Sequence, residues 1–134
     1  MLAIAALLGA YPAFVFGTTY AITLSSGLPG GRHGPQDAYR HCLASAIVAY
    51  TLSPRCVDWV TERMEGRELR GSHAMDAHNN GVGARLGERA NGWSELLRSV
   101  RAAVDAGSLL PEPGQGMPTG PVWLAEALWS DLWW

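Results

Sequence analysis

The sequence predicts an all-α protein, a small helical bundle with an apolar N-terminal helix and a Trp-rich C-terminal helix. Three observations predict it. Residues 1–30 carry no charged side chain. In the middle of the chain, apolar residues recur at helical spacing between serine or proline start signals and glycine stops. The last stretch, Val122 to Trp134, sets Trp123, Trp129, Trp133 and Trp134 among leucines. With 134 residues the chain fits one domain. It divides into an apolar membrane-associated or core helix (1–30), a helical domain with the polar residues (31–110), and a Pro/Gly linker with the Trp-rich helix (111–134).

The first element, Leu2 to Leu24, is long and apolar enough at about 1.5 Å per residue to reach across roughly 30 Å of hydrocarbon. Gly9, Pro12, Gly17 and the Thr18–Thr19 pair weaken it as a spanning helix, and a core helix of a bundle reads similarly. A secretory signal normally begins with basic residues, whereas the first positive charge here is Arg32. If the segment spans, Arg32 and Arg40 behind it favour a cytoplasmic C-terminal portion.

Gly27 to Pro35 is a turn-rich linker, and Pro35 suits the first turn of a second helix with Leu43, Ala44, Ile47 and Val48 on its apolar face. That helix is expected to end near Thr51. Ser53–Pro54 repeats the start signal for a third helix through Val57, Val60 and Met64, stopped by Gly66. Ser72 can cap a fourth helix running to about Arg89, although Gly81, Gly83 and Gly87 each cost about 1 kcal/mol relative to alanine. Ser94 to Val104 reads as an amphipathic packing helix with Leu97, Val100 and Val104 as its stripe and Gly107 as its stop. Residues 111–121 hold four prolines and three glycines, so they form an extended linker. The tryptophans after it suit either a membrane-interface belt or docking on the protein's own core.

Composition narrows the function. The chain is 48% hydrophobic and 16% charged, with the apolar excess at its two ends, which calls for a membrane or a partner. A net charge of −2 without a basic stripe argues against nucleic acid. All ten basic residues are arginine, which removes lysine nucleophiles and Schiff bases and, with the abundant Ala and Gly, fits a GC-rich bacterial genome. Cys42 and Cys56 form neither a CxxC pair nor a catalytic-cysteine signature, leaving a disulfide and two buried thiols both open.

One polar cluster remains. On the second helix, Asp37, Arg40 and His41 project from one side; on the fourth, Asp76 shares a face with Asn79 and Asn80, with His73 a turn earlier and His78 nearby. Gly83, a turn later, can admit another helix closely. Facing helices with carboxylate, imidazole and amide groups build either a metal site or a water-activating acid–base site. The expected catalytic set is Asp37, Arg40, His41, Asp76, Asn79 and Asn80. The expected metal ligands are Asp37, His41, His73, Asp76 and His78, for a divalent ion such as zinc. The competing reading is a buried salt-bridge and hydrogen-bond network that locks two helices without chemistry. His33 lies in a glycine loop from which it can also reach a site.

The stretches Asp37-Ala-Tyr-Arg-His-Cys and Met75-Asp-Ala-His-Asn-Asn-Gly-Val-Gly-Ala-Arg resemble the hallmarks, roughly DAxRHA and MDxxNNxxGR, of an uncharacterised bacterial domain family. The resemblance covers about residues 34–88. Members of that family occur in secreted, wall-associated and toxin-like proteins, and the resemblance implies a small helical domain with a hydrolytic or metal-binding site. Where the family often has a His-Glu pair between the motifs, this chain has Thr61–Glu62. The functional expectation is a membrane-associated or cell-envelope hydrolase-like domain acting on lipid, wall or peptide material. Its competitor is a non-catalytic membrane- or partner-binding module.

Overall fold

The computed structural model describes the backbone of residues 2–57 and 72–131 and the side chains of residues 10–57 and 74–131. The protein is a small all-α bundle. Helix α1 spans Leu2–Leu24, α2 Pro35–Thr51, α3 Ser72–Arg89 and α4 Trp93–Asp105. Helical backbone also begins at Pro54, as the serine–proline signal predicts, and is described as far as Val57. The rest of the expected third helix lies outside the described residues.

Helix α2 is the centre of the molecule and touches α1, α3 and α4. Pro35 stands at its first turn behind an extended Gly34, and the Leu52 amide closes its end on the Val48 carbonyl at 2.9 Å. Its apolar side, with Cys42, Leu43, Ala46 and Ile47 fully buried, forms the core with Leu96, Val100 and Val104 of α4. The stripe of α4 therefore runs through Leu96, Val100 and Val104 at four-residue spacing, while Leu97, expected in it, is only partly buried at its margin. Both cysteines are free thiols.

Helices α2 and α3 run in the same direction. Ser45 meets Asn80, Cys42 meets Asn79 and Gly83, and Ala46 meets Gly87, so rising numbers on one helix match rising numbers on the other. Gly83 and Gly87 are what bring them together: a Cβ at Gly83 would overlap the Cys42 carbonyl, and one at Gly87 the Ala46 carbonyl. Close backbone approach, facing small residues on α2, offsets the helix-propensity cost of those glycines.

Helix α1 lies antiparallel to α2. Near one end the Tyr11 hydroxyl meets Thr51 Oγ1 at 2.6 Å, and near the other Gln36 Nε2 donates to the Thr23 carbonyl at 3.4 Å. The stripe Val15, Thr19 and Thr23 is buried, whereas Phe14, Phe16, Tyr20 and Leu24 are exposed. Among the described residues no helix is long and apolar enough to cross a membrane.

Beyond α4 the chain is not helical in the way expected. Strands β1 (Ser108–Leu109) and β2 (Val122–Trp123) pair in parallel, a single 3-10 turn covers Glu126–Leu128, and Ser130 makes an isolated bridge to Arg32. The short Trp-rich helix expected from Val122 onward is replaced, as far as Asp131, because the backbone polar groups here find tertiary partners. Asn79 takes both the N–H and the carbonyl of Val122, at 2.9 and 2.8 Å, and the Leu124 amide donates to the His33 carbonyl at 2.9 Å. Trp129 packs on Gly30 and Gly34, and its indole donates to the Leu124 carbonyl at 2.7 Å. Trp133 and Trp134 lie outside the described residues.

Candidate functional site

The site grows from the N-terminal turns of the parallel helices α2 and α3. Asp37 sits in the first turn of α2, where unpaired amides and the helix dipole favour negative charge, and Asp76 in the second turn of α3. His41 follows Asp37 by one turn and faces α3. Its Nε2 lies 3.5 Å from Asp37 Oδ1 and 3.5 Å from Asp76 Oδ1. One ligand atom from each of these three residues falls within 4.8 Å of the other two.

The surroundings fix Asp37 most tightly. Its Oδ2 accepts the His33 backbone N–H at 2.7 Å, and its Oδ1 pairs with Arg40 Nη2. Arg40 also donates from Nη1 to the Gly31 carbonyl at 3.4 Å. The side chain of Asp37 is 4% exposed, that of Asp76 14% and that of His41 28%, so solvent reaches the centre from the His41 side.

The expected site residues divide. Asp37, His41 and Asp76 converge, with Arg40 beside Asp37. His78 turns away and bonds through Nε2 to the Gly120 carbonyl at 2.8 Å, so it is not a ligand of this centre. Asn79 is completely buried and spends its amide on Val122; Asn80, also buried, accepts from Ser45 Oγ at 3.0 Å. Both amide atoms of Asn79 are therefore used in holding the C-terminal segment, and the Asn80 carbonyl oxygen helps hold α3 to α2. The side chain of His73, and Glu62 with its surroundings, lie outside the described residues. His33 contributes through its backbone N–H, a role its position in a glycine loop hinted at only indirectly.

The two 3.5 Å spans carry chemical meaning. They exceed the roughly 3.2 Å limit of a good N–H···O bond. They are close to the ~3.3 Å that separates two ligands on one tetrahedral ion with bonds near 2.0–2.1 Å. One imidazole nitrogen and two carboxylate oxygens suit a borderline divalent ion and leave coordination positions for water. The carboxylate charges are offset in part by Arg40, which leaves a net negative ligand set when His41 is neutral. Deeper between the helices the Cys42 thiol donates to the Asn79 carbonyl at 3.1 Å, and burial pushes its pKa up to about 12. It is therefore a packing group and supplies no thiolate to the site.

No protein-family model, curated protein or solved structure matches this chain.

Proposed function

We propose that this chain is a hydrolase-like domain in which Asp37, His41 and Asp76 hold a divalent cation, zinc being the first candidate, and the cation activates a water molecule for attack. The observation that carries the reading is the placing of His41 Nε2 3.5 Å from an oxygen of each carboxylate, at a partly exposed point. A bound cation would lower the pKa of its water toward neutrality and polarise a carbonyl or phosphoryl oxygen. Arg40 and the His33 N–H keep the Asp37 carboxylate aimed at the centre. The motif resemblance to a bacterial family of secreted and wall-associated proteins agrees with this reading and makes lipid, cell-wall or peptide material the substrate classes to try.

Membrane association belongs to the same proposal. Helix α1 has no charged residue and, beyond its buried stripe, shows solvent Phe14, Phe16, Tyr20 and Leu24 on several sides. A helix apolar on nearly every side finds its partner more readily in a lipid surface than in one further protein face. Flotation with anionic and neutral vesicles is expected to carry the protein upward, and a Phe14→Ser/Phe16→Ser variant is expected to stay behind.

The deciding experiment is elemental analysis of the purified protein beside Asp37→Ala/Asp76→Ala. One equivalent of metal in the wild type, lost in the variant, supports the metallohydrolase. Metal in neither supports the second reading, a non-catalytic module whose polar residues lock the helices. That second reading draws its support from Asn79, whose amide is taken up by Val122, and from the Asn80 oxygen, which accepts from Ser45.

A further inference from the structure

We infer that residues 119–131 form a strap that sets the spacing of the Asp37/His41/Asp76 centre, with Leu124 and Trp129 as positioning residues; the inference rests on that centre being a cation site. The strap is tied to α3 through His78 and Asn79, within a turn of Asp76, and on the other side to the loop that leads into Asp37.

On the α3 side, Asn79 follows Asp76 by three residues and grips Val122 by both its backbone groups. His78 holds the Gly120 carbonyl at 2.8 Å, and Arg85 Nη2 reaches the Thr119 carbonyl at 3.4 Å. On the α2 side, the strap engages the loop that leads directly into Asp37. Leu124 N–H donates to the His33 carbonyl, and Arg32 and Ser130 exchange two backbone bonds of 2.8 and 3.2 Å. The Trp129 ring packs about 3 Å from where a Cβ at Gly30 or Gly34 would stand, against a turn in which the two glycine backbones approach too closely to admit a side chain on either.

The loop so held has an unusual backbone. Gly30 has φ 72°, and His33, which is not glycine, has φ 64°. A left-handed histidine costs on the order of 1 kcal/mol and persists where neighbours over-determine it. Here the His33 carbonyl is held by the strap and its N–H by Asp37 Oδ2 at 2.7 Å. One residue thus transmits the position of the strap to a ligand carboxylate. Through Asn79 the same segment constrains the turn of α3 that follows Asp76. Outer contacts that orient a ligand typically govern metal affinity by ten- to a hundredfold, a scale on which the strap is expected to act.

The test compares wild type, Trp129→Ala and Trp129→Leu by zinc titration against a competing chelator, with circular dichroism for helix content and hydrogen exchange at the His33 amide. The alanine variant is expected to keep its helices, to bind zinc at least tenfold more weakly and to exchange the His33 amide faster. The leucine variant keeps part of the apolar volume and is expected to weaken zinc binding at least threefold; it replaces the alanine variant if that one loses its helices. Wild-type zinc affinity in either folded variant overturns the inference. If the wild type itself binds no zinc, the cation reading fails separately. The strap then stands on the exchange result alone: faster exchange in the folded variant upholds the coupling of strap to loop, and unchanged protection overturns it.

Discussion

Asp37 shows how one side chain can be placed by its two oxygens. Oδ2 faces a backbone amide and Oδ1 faces Arg40 and His41, so the carboxylate has a fixed plane before any ligand arrives. His41 is held less, and its partial exposure makes it the residue through which the centre meets solvent. His41→Ala is therefore expected to abolish cation uptake in elemental analysis while shifting the melting temperature by only a few degrees; a large loss of stability with retained metal would mark a structural role. Cys42 makes the opposite case. Its folded pKa, raised by burial to about 12 from 9.0, means that the unfolded chain ionises first as pH rises. The contribution of this thiol to stability is present below pH 9 and is lost progressively between about pH 9 and 12. Alkylation at pH 8 is expected to modify Cys42 only in denaturant, with mass spectrometry of the Cys42 peptide as the check.

At the scale of elements, the parallel pairing of α2 and α3 decides which polar groups meet. It puts two helix N-termini at one end of the molecule, each with a carboxylate in its first two turns. Antiparallel packing would have sent Asp76 to the far end from Asp37. The pairing depends on backbone contact at Gly83 and Gly87. Gly83→Ala must push α3 off the Cys42 carbonyl, and overpacking of this kind typically costs about 1–3 kcal/mol. Scanning calorimetry should register that loss, and zinc affinity should fall with it because Asp76 moves together with its helix. Helix propensity alone forecasts the reverse sign, a gain of about 1 kcal/mol from replacing glycine, so the experiment separates packing from propensity.

For the whole molecule, the informative fact is that the C-terminal segment serves the middle. The C-terminal segment, whose tryptophans suited a membrane belt or docking on the protein's own core, is bound over the bundle by Asn79, His33 and Arg32 as far as Asp131, which agrees with docking. Much was legible in the sequence by itself. The helices followed from apolar spacing, from Pro35 as a starter and from Gly107 as a stop. The candidate residues Asp37, His41 and Asp76 stood out as polar groups beside a hydrophobic stripe. These are local properties, set by side-chain period and by the conformational limits of proline and glycine. Only the tertiary structure decided that His78 turns to the Gly120 carbonyl, that Asn79 grips Val122 while Asn80 accepts from Ser45, and that Leu96 rather than Leu97 faces the core. It alone decided that residues 122–131 run as a short strand, a 3-10 turn and a bridge over the bundle. Each of those outcomes depends on which distant backbone group meets a buried donor or acceptor. A periodicity of 3.6 residues says which side chains share a face; it does not say which partner that face will find.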